Sequence, residues 1–176
     1  MRYLSVEGNI GAGKSSVIEG LAQTLSNDKG GAETGGMIAT NIEIVTGEPV
    51  GSWMGILPRF YERPAEHALE LQMEILRSRL LQIRDLEDDF FRRRHHHLTR
   101  NDERDDREQS PPPMLLERCP ESSSEVFVPC LVKEGYLTAE EYDTYMGWYH
   151  LTKRLSGNTL HFVNTIMKHP TMYSLD

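Results

Sequence analysis

The residues best suited to chemistry lie in the stretch "YLSVEGNIGAGKSSVIEG", positions 3–20. Gly8, Gly13, Lys14 and Ser15 fit the spacing G-x-x-x-x-G-K-[ST]. Glycines let successive backbone N–H groups wrap phosphate oxygens, the lysine reaches the outer oxygens, and the serine hydroxyl can hold Mg²⁺. The expected cradle takes in Gly8, Asn9, Ile10, Gly11, Ala12, Gly13, Lys14, Ser15 and Ser16, with Ser15 as the metal ligand. A helix that starts at the loop adds the positive end of its dipole at the phosphate. Such a loop serves a nucleoside triphosphate, ATP or another, and does not say what receives the phosphate.

The elements that must position this loop follow from pattern. Residues 2–6 read as a buried strand, and Gly13 to about Leu25 as a helix with Val17, Ile18, Leu21 and Leu25 on one face. The glycine-rich residues 26–41 read as a flexible loop, and "IEIVTGEP" (42–49) as a second strand that stops at Pro49. Pro64 suits the first turn of a long helix, behind which Leu69, Met73, Leu76, Leu80, Ile83 and Phe90 recur at helical spacing. Residues 92–113, "RRRHHHLTRNDERDDREQSPPP", are charged and end in three prolines, which predicts a solvated, mobile insertion inside one domain. Consecutive histidines in such a segment offer no fixed metal geometry. "MLLE" (114–117) reads as a third strand. Ser122 with Glu125, and Thr138 with Glu141, have the spacing of capping boxes at helix starts, the second helix running to about Leu151. In the tail, "TLHFV" or "TMYSL" would serve as a fourth strand. Strands alternating with helices predict an α/β fold, a parallel sheet flanked by helices in a single domain spanning 1–176.

Composition bounds the function. The 176 residues carry a net charge of −8, which argues against a nucleic-acid partner, since such binding needs a basic face. No run of about 18 apolar residues is present, so no membrane span is expected. The chain enters an apolar strand by Tyr3, which leaves no room for a cleaved leader and implies a cytoplasmic protein, with nuclear or organellar placement open. Cys119 and Cys130 match no metal spacing and are expected as free thiols.

Four motifs in order, "VEGNIGAGKSS", "GEPVGSW", "YERPAEHALELQMEILRSR" and "LLERCPESSSEVF", resemble the deoxynucleoside kinases, the family of deoxycytidine, deoxyguanosine and mitochondrial thymidine kinases with their insect and viral relatives. The resemblance runs from residue 3 to about 150, broken by the insertions at about 26–41 and 92–113. It implies a three-layer fold of the P-loop NTPase type and transfer of phosphate from ATP with Mg²⁺ to the 5′-hydroxyl of a small-molecule deoxynucleoside, in nucleotide salvage. By the same resemblance Glu48 is the general base, which takes the proton of the sugar 5′-hydroxyl. Trp53 lines the nucleobase pocket and Phe127 stacks on the base, each offering a flat π face. Tyr61 bonds the sugar 3′-hydroxyl, and Gln72 pairs with the base edge through a donor and an acceptor. Arg79 lies two helical turns beyond Gln72 and so on the same side. Glu117 and Arg118 stand for the family's "ERS" motif, whose serine is Cys119 here, with Glu117 among the substrate-binding residues and the arginine near the transferring phosphate. Ser123 takes a position that faces the base, four residues before Phe127. Arg79 resembles the deoxycytidine and purine kinases and the small Ser123 the thymidine-preferring group, so the base stays open. Family members are commonly homodimers, which the resemblance therefore implies.

After residue 154 no R-x-R or R-x-x-x-R run occurs, so the arginine-bearing lid of the family is not found in these 176 residues and the fold is expected to be C-terminally incomplete. Two other readings stay open. A nucleoside monophosphate kinase such as thymidylate kinase shares the cradle, but usually shows "REPGG" and "DR" where this chain has "GEPVGSW" and "ERC". A non-catalytic nucleotide-binding remnant or regulatory partner accords with the lidless chain, and the joint presence of Lys14, Glu48 and Arg118 counts against it.

Overall fold

The computed structural model describes residues 2–9, 11–27, 45–98, 114–155 and 161–166. The chain is α/β and forms two compact units, the first from residues 1–48, 112–119 and 159–176 and the second from 49–111 and 120–158.

The first unit is a parallel sheet with one helix described against it. Its strands are β1 (Arg2–Glu7), β2 (Val45–Thr46), β3 (Met114–Glu117) and β4 (His161–Ile166), in the order β2-β3-β1-β4. Val6 pairs with Glu117, Thr46 with Leu116 and Arg2 with His161. Because every pairing is parallel, the carboxyl ends of β1, β2 and β3 lie along one edge, where ligands of open α/β sheets bind. Helix α1 (Lys14–Asn27) follows β1 through the glycine-rich loop and buries Ile18 against Val6 and Leu115. Its expected apolar face is narrower than the spacing suggested, since Val17 and Leu21 are exposed. β3 is buried at all four residues, the signature of a central parallel strand. The tail strand proves to be "HFVNTI", which includes part of "TLHFV"; "TMYSL" lies outside the described residues, as do 28–44 of the expected loop and second strand.

The second unit is helical. A 3₁₀ turn (Val50–Trp53) leads into α2 (Leu57–Glu62), and Arg63, with φ −141° and ψ 74°, separates it from α3 (Pro64–Leu98). Pro64 opens α3 as expected, its fixed φ suiting a first helical position. At 35 residues α3 is about 50 Å long. It runs on through residues 92–98, which the sequence assigned to the mobile insertion. No helix breaker stands there, and exposed pairs such as Asp89–Arg92 and Arg84–Asp88 each add a few tenths of a kcal/mol. The remainder of that segment, 99–113, lies outside the described residues.

The next helical run comprises α4 (Pro120–Ser122), a π turn (Ser123–Phe127) and α5 (Val128–Lys133). Its start corrects the expected cap at Ser122. Pro120 already begins the helix, Ser122 has helical φ −62° and ψ −31°, and no side-chain cap bond forms there. The run ends in a Schellman motif at Gly135: the Tyr136 N–H donates to the Leu131 carbonyl at 2.9 Å and the Gly135 N–H to that of Val132 at 3.0 Å. The second expected cap forms in full before α6 (Ala139–Leu155), which continues one turn beyond Leu151. The Glu141 N–H donates to Thr138 Oγ1 at 3.2 Å, and the Thr138 N–H donates to the Glu141 carboxylate at 2.9 Å. Leu137 before the cap and Tyr142 after it join one apolar cluster, a hydrophobic staple. That cluster is built on Ala68 and Leu76 of α3, Val128 of α5, and Tyr145 and Tyr149 of α6. Among the described residues no helix is long and apolar enough to cross a membrane.

Thr138→Ala removes the side-chain half of this capping box and is expected to cost about 1 kcal/mol. Urea unfolding should show a lower midpoint with an unchanged slope; an unchanged midpoint would contradict the assigned cap.

Candidate functional site

In the first unit the chemistry gathers where β1, β2 and β3 end. Gly11 and Gly13 of the loop have φ of +78° and +79°, a region that an L side chain enters only with strain, so the turn requires glycine. Inside it the Ala12 N–H and the Lys14 ammonium both donate to the Asn9 carbonyl, at 3.2 and 2.9 Å. Lys14 is buried and is also the first residue of α1, whose opening N–H groups have no partner within the helix and face the same loop. Ile10 lies outside the described residues. Gly8 and Ala12 are half-buried, whereas Asn9, Ser15 and Ser16 are exposed.

Glu117, which the resemblance places among the substrate-binding residues, stands beside the cradle. Each of its carboxylate oxygens lies 3.1 Å from Ser15 Oγ, which donates its proton between them. A hydroxyl and a carboxylate are the hard oxygen donors that Mg²⁺ takes, so this pair fits the ion the cradle implies. Among the described residues no three His, Cys, Asp or Glu side chains converge as a metal cage. A magnesium ion here would therefore complete its shell with phosphate oxygens and water, its usual habit.

Arg118 follows directly and has φ +60°, the one described non-glycine residue in the left-handed region. Its N–H donates to the Val6 carbonyl at 3.2 Å, and the next N–H, of Cys119, donates to the Glu7 carboxylate at 2.8 Å. Its guanidinium donates from Nη2 to the Gly8 carbonyl at 3.0 Å, while Nη1 lies 3.6 Å from Glu48 Oε1. Both side chains of this ion pair are largely shielded from water, so it is screened less than a surface pair. The structure thus brings Lys14, Ser15, Glu48, Glu117 and Arg118 together in one unit.

The second unit holds a buried polar set. Arg79 of α3 is 4% exposed; its Nη1 donates to Ser123 Oγ at 2.9 Å, and its guanidinium carbon sits 5.7 Å from the centre of the Trp53 ring. A cation so placed over an indole face gains about 0.5–2 kcal/mol. The Trp53 indole N–H donates to Ser78 Oγ at 2.8 Å, which fixes the plane of the ring. Gln72 is buried on the same side of α3, and its Oε1 has no hydrogen-bond partner. An unmet buried acceptor costs about 1–3 kcal/mol, so this amide oxygen is suited to a donor from a ligand. Ser123 opens the π turn, a distortion frequent at functional sites, and Phe127 closes it half-buried. Tyr61 is set apart from these, 72% exposed on α2 with its ring against Phe60.

Sequence reasoning missed Glu7, Ser78 and Tyr145. Tyr145 is fully buried, and burial pushes its phenol well above the ordinary tyrosine range, with Arg79 offsetting part of the effect. Ser123 stands near that hydroxyl, yet no partner meets it in hydrogen-bonding geometry. The Tyr142, Tyr145 and Tyr149 spacing carried a signal for the buried face but none for the polar contact. A groove of about 680 Å³ on this unit, lined by Ile56, Met73, Leu76, Leu80 and Trp148 among others, includes none of the expected residues.

A family model, deoxynucleoside kinase, matches residues 4–168. The chain is also 26% identical over 149 residues to "Putative kinase protein 029R" of Invertebrate iridescent virus 3, an alignment that covers 83% of this chain and 55% of the viral protein. The chain therefore spans little more than half the length of that curated relative.

The Tyr145 shift has a definite sign. The folded state holds the phenolic proton more tightly than the unfolded chain, whose tyrosines titrate near pH 10. Its stabilising effect is complete below about pH 10 and is lost as pH rises through that value toward the folded pKa, by up to about 1.4 kcal/mol per pH unit. Tyr145→Phe should flatten the fall in unfolding free energy measured by urea titration between about pH 9.5 and 11. Parallel curves for the two proteins would contradict the assignment.

Proposed function

The chain belongs to the deoxynucleoside kinase family, and we propose that it transfers the γ-phosphoryl group of ATP, or another nucleoside triphosphate, to the 5′-hydroxyl of a deoxynucleoside. The observation that carries this reading is the meeting of the Ser15–Glu117 pair and the Glu48–Arg118 pair at the ends of parallel strands beside the glycine loop. The family assignment also favours a fold of the P-loop NTPase type for the phosphate-binding part. The reading treats the protein as a small-molecule kinase acting without nucleic acid or membrane.

Each residue then has a task. Loop N–H groups and the Lys14 ammonium hold the phosphate oxygens, and Ser15 with Glu117 would hold Mg²⁺, which supplies positive charge against the outer phosphates. Glu48 takes the proton from the 5′-hydroxyl as that oxygen bonds to the γ-phosphorus and the bond to the diphosphate breaks. Arg118 orients the Glu48 carboxylate and, with five donors in a planar fork, offsets charge on the equatorial oxygens. In the second unit Trp53 and Phe127 offer faces to a base, while Gln72 and Arg79 offer hydrogen bonds to its edge. Ser123 holds Arg79 in place for that task. Tyr61, exposed as it is, is assigned to the sugar 3′-hydroxyl on family resemblance alone. A homodimer and a cytoplasmic setting accord with the same reading.

The test is phosphoryl transfer from Mg·ATP to each of the four deoxynucleosides, with Glu48→Gln beside the parent chain. Turnover that falls by about 10²–10⁴-fold in the variant is expected for loss of a general base. Equal turnover by the two proteins would place the base elsewhere, and ATP hydrolysis without transfer to any deoxynucleoside would overturn the kinase reading.

A further inference from the structure

Three consecutive residues at the end of β1 hold Arg118 and the peptide that follows it. The Val6 carbonyl accepts the Arg118 N–H at 3.2 Å, the Glu7 carboxylate accepts the Cys119 N–H at 2.8 Å, and the Gly8 carbonyl accepts from the Arg118 guanidinium at 3.0 Å. The middle contact differs in kind from the other two, because it comes from a side chain. The β1–β3 ladder is paired as far as Val6 and Glu117, and beyond it the chain departs toward α4. A carboxylate there supplies the acceptor that a strand would otherwise provide, and a charge-assisted bond is roughly twice as strong as a neutral one.

We propose that Glu7 is a positioning residue for phosphoryl transfer, acting through Arg118. Its carboxylate fixes the peptide that joins Arg118 to Cys119 and so holds residue 118 at φ +60°, a conformation disfavoured for any side chain larger than hydrogen. That backbone conformation aims the guanidinium at Gly8 and at Glu48, 3.6 Å from its carboxylate. Without Glu7 the residue relaxes to negative φ, the Cα–Cβ bond turns, and the guanidinium leaves the general base. Glu7 itself touches neither phosphate nor sugar; its effect passes entirely through the arginine. The inference rests on the phosphoryl-transfer reading for its kinetic consequence, but not for its structural one.

Two variants separate reach from charge. Glu7→Gln keeps an oxygen at the same distance without the charge, whereas Glu7→Asp keeps the charge on a side chain one methylene too short. Positioning predicts that the Gln variant turns over faster than the Asp variant, with the KM for ATP little changed in both. A negative charge needed for its own sake predicts the reverse order, which would overturn the proposal. Glu7→Ala is expected to lower kcat by about 10²-fold, the scale of a 1 Å misplacement. In an Arg118→Ala background the same change should add almost nothing, and an undiminished loss there would show that Glu7 acts otherwise. A crystal structure of Glu7→Ala, or of Glu7→Asp should the Ala variant not fold, reads the geometry without any activity. Residue 118 at negative φ with its guanidinium off Glu48 supports the proposal; positive φ with the contact intact refutes it. A parent chain without transfer activity would end the kinase reading and leave this structural result to stand or fall alone.

Discussion

The first unit depends on the join between the end of β1 and the turn after β3. A left-handed arginine is disfavoured in itself, by about 1–3 kcal/mol, and persists only where surrounding bonds over-determine it. Here the parallel register supplies those bonds: Val6 opposite Glu117 leaves Arg118 and Cys119 presenting their N–H groups to the last residues of β1. The register of β2 follows, with Thr46 opposite Leu116 and Gly47 close enough that an added Cβ would sit 3.7 Å from the Glu117 carboxylate. The general-base candidate, the metal-ligand candidate and the arginine thereby stand at, or within two residues of, the ends of paired strands of one sheet.

The second unit shows the opposite economy. Arg79 and Gln72 are long polar side chains buried on an otherwise apolar helix face, a costly placement in the absence of function. Trp53 and Ser123 offset part of that for Arg79, through the ring face and one hydrogen bond. Gln72 Oε1 and the Tyr145 hydroxyl remain unmet. A buried polar group without a partner costs about 1–3 kcal/mol. A second network lies beside it: Lys153 of α6 reaches Glu121 at 3.6 Å and lies over the Tyr149 ring, tying α4 to α6 next to the π turn.

What could be read in the sequence was what is local. Pro64, the Thr138–Glu141 box and the strand "MLLE" each carry their cause within a few residues, and each formed as expected. The failures came where a neighbouring residue or a distant contact overrode the local pattern. Ser122 had the right spacing for a cap, but Pro120 began the helix first. Val17 and Leu21 had the right period for burial, but only Ile18 meets the sheet in the described core. The charge of residues 92–98 suggested a coil, although nothing there forbids a helix already under way. The positive φ of Arg118 and the part played by Glu7 could not be found from spacing, since the two residues are joined across 111 positions of chain by a single strand pairing.

The central claim, that the first unit holds a magnesium–triphosphate, is tested most directly by titration calorimetry. ATP would be titrated into the parent chain and into Glu117→Gln, each with Mg²⁺ and with EDTA. The account predicts that Mg²⁺ tightens binding to the parent, and that Glu117→Gln removes this gain while leaving the affinity in EDTA unchanged. Equal affinity of the parent with and without Mg²⁺, or a full magnesium gain in Glu117→Gln, would contradict it.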